Sequence, residues 1–277
     1  MTEMETAPRR ISLLLSDVDG TLVTKKKELT PRAVGAVRSL REAGIGFAIT
    51  SSRPPAGLAH LVEPLSLTTP LAGFNGGLVV DEAGKVLRKI ALGPEEARQT
   101  IDELARRKID IWVFYGNDWL ITDPNGAYVA HEQMTIRYAP NVVEDFSPYL
   151  DGVCKIVGSG RDPEALRQAE AALHTILGDR AAASLSQPYY LDITHALANK
   201  GSAVVANAEL LGIPTSEIAT IGDMENDVAM FAKSGFSIAM GNATPDVKAR
   251  AMAVTASNEE DGFALAVERF VLPFGPR

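Results

Sequence analysis

The chain has 277 residues, a formal charge of −8, and 46% hydrophobic against 22% charged residues, enough for two domains or one large one with ample core. The acidic balance argues against nucleic acid or an anionic membrane surface as the main partner, and leaves open a local basic pocket for a phosphate. The single cysteine, Cys154, excludes an internal disulfide framework, and the histidines at 60, 131, 174 and 195 form no zinc pattern. No apolar run approaches the roughly 20 residues that span a bilayer. METAPRR near the N-terminus has no apolar stretch of signal-peptide length behind it, so the expected location is the cytoplasm.

ISLLLSDVDGTLV, residues 11–23, opens as an apolar run of the kind a strand covered on both faces shows, then delivers two carboxylates, Asp17 and Asp19. Side chains at i and i+2 of an extended chain point the same way, so the two are expected to face one small volume, where a cation or a shared proton would relieve their repulsion. Gly20-Thr21 then turns the chain away. Thr30-Pro31 reads as a helix start, with Ala33, Val34, Val37 and Leu40 on one face and Gly44 closing it. GIGFAIT, 44–50, is a second apolar strand that stops at Ser51-Ser52-Arg53, before a helix-like stretch to Leu65, and LAGFNGG, 71–77, repeats the plan.

From about 84 to 188 the pattern changes. A helix from Pro94 to Lys108 is followed by DIWVFYGNDWLIT, a hairpin turning at Gly116-Asn117, and by a helical stretch near Ala127 to Thr135. VCKIVGS reads as a strand, Pro163 to Leu177 as a long amphipathic helix, and ASLSQPYYLDI as a return toward the first sheet. This segment holds both tryptophans and lacks strands ending in acids, so it is expected to be an inserted α/β domain, 84–188, between halves of a core, 1–83 and 189–277. Beyond it, IATIGDMEND, FSIAMGN and AMAVTAS are short apolar runs that alternate with helical stretches at 202–211, 226–233, 245–251 and 262–270. The fold class is therefore α/β, a parallel sheet with helices on both faces, whose ligands bind beyond the carboxyl ends of the strands.

Four clusters lie at those ends: Asp17-x-Asp19, Ser51, Lys200 and Gly222 to Asp227. Asp17, Asp19, Asp223 and Asp227 supply the hard oxygen donors that suit Mg²⁺. Lys200 stands just before a helix start, where the helix dipole disfavours a cation, so an anion is expected beside it. Ser51 and Ser52 precede a helix and suit a phosphate cradle. A metal, a lysine and a hydroxyl around one carboxylate describe phosphoryl transfer to Asp17.

DVDGTL, SSR, NKG and GDMEND, in this order, resemble the four motifs of the haloacid dehalogenase-like phosphatases. NGG at 75–77, AMGNA at 239–243 and the size of the insert are similar to the Cof-type subgroup with a large α/β cap. The resemblance covers nearly the whole chain. It implies a Rossmann-like core, Mg²⁺ dependence and hydrolysis of a small phosphorylated metabolite such as a sugar phosphate or phosphorylated cofactor. It further implies that Asp17 is nucleophile and metal ligand, and that Asp19 is the acid/base whose backbone carbonyl also binds metal. Ser51, Lys200 and Asn226 would hold the phosphate, Asp223 would ligate the metal, and Asp227 would act through water or by orienting Lys200. Ser52 stands where the family pattern has glycine; a positive φ there would strain a serine.

Alternatives remain at this level: a phosphomutase or a phosphatase of narrow disaccharide specificity in the same superfamily, or a non-enzymatic phospho-acceptor or ligand-binding protein. Lys25-Lys26-Lys27 reads as a solvated loop, Trp112, Phe114, Tyr115 and Trp119 as packing of a small sheet, Cys154 as core, and His195 as a minor candidate to approach Lys200.

Overall fold

The computed structural model describes residues 10–276; most of METAPRR, and with it part of the expectation about a leader, lies outside the described residues. The eight-stranded main sheet contains β1 (Leu13–Asp17), β2 (Gly46–Thr50), β3 (Leu71–Gly73), β4 (Leu78–Val80) and β5 (Val86–Lys89) from the first part of the chain. From the last part come β12 (Ile218–Gly222), β13 (Phe236–Ala239) and β14 (Ala253–Val254). Their order is β14-β13-β12-β1-β2-β3-β4-β5, parallel through β3 and antiparallel from there to β5.

The helices are α1 (Pro31–Glu42), α2 (Val62–Leu65), α3 (Pro94–Arg106), α4 (Val129–Ile136), α5 (Pro163–Leu177), α6 (Lys200–Leu211), α7 (Val228–Phe231), α8 (Pro245–Ala249) and α9 (Gly262–Ala266). Alternation along β1 sends Leu14 to the side packed with α1 and α9, and Leu13 and Leu15 to the side packed with α6 and α7. Both faces of the sheet are thus covered, which is why β1 reads as an unbroken apolar run. Thr30 caps α1 by accepting from the Ala33 amide at 3.0 Å, with Pro31 at the first helical position.

The second sheet is β10 (Ala181–Gln187), β11 (Tyr190–His195), β9 (Val153–Ser159), β6 (Asp110–Tyr115), β7 (Asp118–Ile121) and β8 (Asn141–Val142), in that order. One face packs on α3 and α5 through Val113, Ile156 and Ile193. The opposite face carries Trp112, Phe114, Val157 and Tyr190 into the apolar cluster shared with the main sheet, and Phe114 meets Phe74 at 5.3 Å between ring centroids. Trp112, Phe114 and Trp119 are buried in that packing, as is Cys154.

Sheet membership corrects the expected boundaries at 84 and 188. β5 belongs to the main sheet, because the turn at Gly84, closed by the Asp81 amide on the Lys85 carbonyl, folds VLRK back on β4. β11 belongs to the small sheet: YYLDITH, read as returning to the core, pairs with β10 on one side and β9 on the other. The segment between the last strand of the first half and the first helix of the second therefore runs from β5 to α6, with the small sheet formed entirely inside it. No helix among the described residues is long and apolar enough to cross a membrane.

Candidate active site at the carboxyl edge of the main sheet

Register sets the site. Asp17 pairs with Thr50 across β1 and β2, and Gly222 with Ala239 across β12 and β13, so Asp17, Ser51, Asp223 and the residues after Ala239 emerge at one edge. Lys200 begins α6, whose start is capped by Asn199 accepting from the Ser202 amide. Its ammonium nitrogen, 2% exposed as a residue, lies 2.6 Å from Asp17 Oδ1 and 2.6 Å from Asp227 Oδ1. The anion expected beside Lys200 is therefore a pair of carboxylates. Burial alone would depress the lysine; the two carboxylates outweigh it and hold the ammonium well above its usual range.

Asp17, Asp223 and Asp227 each offer an oxygen within 4.8 Å of the others'. Burial, with repulsion from Asp227 and Asp223 and against the attraction of Lys200, pushes Asp17 up to about 7. Burial and Asp227 push Asp223 up to about 6. Asp17 Oδ2 is buried without a hydrogen-bond partner. An orphaned carboxylate oxygen beside a second carboxylate with a raised proton affinity is a fit for a hard cation, which would satisfy the oxygen and lower both proton affinities. Asp227 is differently engaged: its Oδ2 accepts from the amides of Asp223 and Met224, each at 2.8 Å, leaving Oδ1 to Lys200.

Asp19 stands outside the group formed by Asp17, Asp223 and Asp227. The strand ends at Asp17, and the amides of Thr21, Leu22 and Val23 all turn back to the Val18 carbonyl, so the two-residue repeat of an extended chain stops before it reaches Asp19. Its carboxylate instead takes a two-pronged contact from Arg53, at 2.7 and 2.6 Å, and a third from Lys27 at 2.6 Å. Burial would raise Asp19, but Arg53 and then Lys27 hold it below the usual carboxylate range. Lys27, read as one of three solvated lysines, adopts φ 63° and reaches the site edge.

Ser51 is buried, its hydroxyl accepting from the Arg53 amide at 3.2 Å. Ser52 adopts no positive φ, so a glycine conformation is not required of it, and the helix that follows is a short 3₁₀ turn, Pro55–Leu61. Asn226 donates to Asn75 Oδ1 at 3.2 Å. Asn75 is held there by three successive left-handed residues, Phe74, Asn75 and Gly76 (φ 49°, 56° and 90°), pinned by the Phe74 amide on the Arg53 carbonyl and the Asn75 amide on the Ser51 carbonyl. Strain of this kind concentrates at ligand clamps. His195 turns inward on its own chain: its Nδ1 accepts from the Leu197 amide at 3.0 Å.

A family model described as haloacid dehalogenase-like hydrolase matches residues 14–267. The chain belongs to that family. Among its relatives is a Bacillus subtilis protein named 5-amino-6-(5-phospho-D-ribitylamino)uracil phosphatase, 26% identical over 92% of this chain and 96% of that one. An Escherichia fergusonii protein named HMP-PP phosphatase is 27% identical over 84% of this chain and 85% of its own length. A solved haloacid dehalogenase-like hydrolase from Bacteroides thetaiotaomicron, 28% identical, superposes with a TM-score of 0.86 over 94% of this chain and 99% of that one.

In this haloacid dehalogenase-like hydrolase three residues at the site carried no role in the sequence reading. Asn242 donates to the Gly20 carbonyl at 2.9 Å and to Asp223 Oδ2 at 3.0 Å, tying the turn after β1 to the acid after β12. Thr21 donates to Asp223 Oδ1 at 3.3 Å. Arg53, besides holding Asp19, reaches the Thr135 carbonyl of α4 at 3.4 Å and so connects the site to the insert. The signal for Asn242 was its place just after an apolar strand; nothing local marked Arg53 as the partner of Asp19.

Proposed function

We propose that this chain is a Mg²⁺-dependent phosphatase that hydrolyses a small phosphorylated metabolite through an aspartyl-phosphate on Asp17. The observation that carries the reading is the state of the Asp17 carboxylate, which has one oxygen on buried Lys200 and the other without a partner beside Asp223. The relatives named as phosphatases of small phosphorylated compounds support it.

Asp17 attacks phosphorus, and the bond from phosphorus to the leaving oxygen breaks. Lys200, Ser51 and Asn226, with Ser52 at the edge, bind the phosphoryl oxygens as charge spreads over them. Asp17, Asp223 and the Asp19 carbonyl would hold Mg²⁺, which would supply further neutralisation of that charge. Asp227, with both oxygens engaged, orients Lys200 and the Asp223 backbone. Asp19 gives a proton to the departing oxygen and recovers one from the water that cleaves the acyl phosphate. Its pairing with Arg53 and Lys27 favours the ionised form, which suits the second step; the first needs that pairing to open.

The small sheet acts as a cap that excludes water and selects substrate. The cytoplasm is the expected setting, and no nucleic acid or membrane partner is required. Phosphate release measured across a panel of sugar, nucleotide and vitamin phosphates with Mg²⁺, for the parent and Asp17→Asn, tests the reading. Release from at least one ester, lost in the variant, is expected. Transfer of the phosphoryl group back to substrate without release would point to a mutase, and inactivity on every ester would refute the proposal.

A further inference from the structure

Asn242 follows β13 at the exposed rim of the site, where core packing places no demand on the shape of its side chain. Both of its side-chain N–H groups and its side-chain oxygen are nevertheless engaged. The nitrogen donates to the Gly20 carbonyl at 2.9 Å and to Asp223 Oδ2 at 3.0 Å, and the oxygen accepts from the Asn258 amide at 3.1 Å. Exchanging the two ends of the amide would set an oxygen against two acceptors and an NH₂ against a donor, so a single orientation is fixed.

The two acceptors belong to the two sides of the metal site. Gly20 follows Asp19, whose carbonyl is one of the donors named above, and Asp223 is another. Because both sides hang from one nitrogen, they can spread no further than the two N–H directions of a single amide allow. They are also pressed together: Gly20 sits at φ 86°, and a side chain there would collide with Asp223 Oδ2. Thr21, next in the same turn, donates to the other oxygen, Asp223 Oδ1, at 3.3 Å, so donors hold the carboxylate at both ends.

The clamp is itself anchored. Asn258, 6% exposed, begins the 3₁₀ turn Asn258–Glu260 and donates from its side chain to the Val23 carbonyl at 2.9 Å. The Val23 amide returns to the Val18 carbonyl, in the turn that contains Gly20. A closed circuit of hydrogen bonds therefore runs from Gly20 through Asn242, Asn258 and Val23 back to the turn after β1. Glu259 Oε1 takes the Lys25 amide at 2.8 Å, and Asp261 takes the Thr30 hydroxyl at 3.0 Å, so the same segment grips the rest of that loop. On the other side, the Gly241 amide donates to the Ala256 carbonyl at 2.9 Å, and a Cβ on Gly241 would have no room against Ala256 and Ser257.

We propose that Asn242, backed by Asn258, is a positioning residue that sets the width of the metal site and so its choice of ion, favouring Mg²⁺ over the larger Ca²⁺. The proposal rests on the Mg²⁺ reading above and goes beyond it by naming what selects the ion. Mg²⁺ demands near-octahedral ligands at about 2.0–2.1 Å, whereas Ca²⁺ takes about six to eight oxygens at about 2.3–2.6 Å and accepts a loose site. A gap that cannot open serves the first ion and penalises the second. Groups that hold metal ligands from behind are typically worth about 10- to 100-fold in affinity.

Calorimetric titration of the full chain with Mg²⁺ and, separately, with Ca²⁺ tests the proposal without reference to turnover. Asn242→Ala should raise the Kd for Mg²⁺ by about tenfold or more and the Kd for Ca²⁺ by less than about threefold, moving the ratio toward Ca²⁺. Asn258→Ala keeps the backbone amide that holds Asn242 and removes only the donation to Val23. It should move the ratio the same way by a smaller factor, and it carries the test if Asn242→Ala folds poorly. Circular dichroism melts in chelator establish that folded protein is titrated. A purely structural role would weaken both ions alike, so an equal loss, or no loss, overturns the proposal and leaves the Mg²⁺ reading intact. A parent that binds neither ion would overturn the Mg²⁺ reading and the proposal together, a result separate from any behaviour of the variants.

Discussion

Lys200→Met is the substitution that most directly probes the site's construction. The lysine is buried and, among the described residues, is the single cation within 2.6 Å of both Asp17 and Asp227, so methionine of similar length leaves two buried carboxylates without that counter-charge. Breaking a buried pair by removing one partner costs roughly 3–5 kcal/mol, because the remaining charge is stranded. At about 2–4 °C per kcal/mol for a chain of this order of size, the melting temperature in chelator should fall by roughly 6–20 °C. Two rescues separate charge from packing. Saturating Mg²⁺ should recover part of the loss, and adding Asp227→Asn to the Lys200→Met background should recover more than the same change costs in the parent. Thermal melts followed by circular dichroism measure all four combinations. A variant melting in chelator within about 2 °C of the parent, with no benefit from the second substitution, would refute the claim that these three side chains balance one another.

Two further outcomes follow from the same geometry. Asp17 and Asp223 rise from an ordinary 3.8 to about 7 and about 6, so the metal-free fold is favoured by their protonated forms and loses that stabilisation as pH rises through those values. The stabilisation conferred by Mg²⁺, measured as the difference between melts with the ion and with chelator, should therefore be larger near about pH 8 than near about pH 5, and an equal difference at both would contradict the assignment. Gly20→Ala should destabilise by about 1–3 kcal/mol and weaken Mg²⁺ binding, since Gly20 sits at φ 86° and an added Cβ would run into the Asp223 carboxylate. Denaturant unfolding and a calorimetric Mg²⁺ titration check both, and a neutral result would mean that the turn relaxes freely.

The central strands were legible because burial on both faces leaves an unmistakable run of apolar residues that stops where the chain meets solvent, as at Leu13 to Asp17 and Ile218 to Gly222. The convergence of Asp17, Lys200, Asp223 and Asp227 was legible from order and position, since a parallel sheet brings such ends to one edge. Sheet membership at the borders of the insert was not. β5 is a mostly exposed strand whose sequence, VLRK, resembles a surface loop, and β11 has the apolar character of either sheet; hairpin turns at Gly84 and before Tyr190 decided both. The capture of the Asp19 carboxylate by Arg53 and Lys27 was not legible, because strand periodicity does not carry past the strand's end at Asp17. Arg53 escaped as its partner because the two are distant in sequence and meet through tertiary structure alone.

β1 lies between β2, which follows within a few tens of residues, and β12, which begins only at Ile218. During synthesis this fully buried strand therefore has one neighbour and one vacant flank until almost four-fifths of the polypeptide has left the ribosome. An unpaired apolar edge invites pairing with another chain, so the small sheet, whose strands all precede β12, is completed while that hazard persists. Chaperone dependence of the nascent protein should end with the emergence of β12, and a truncation before Ile218 should aggregate even though the insert it contains is whole.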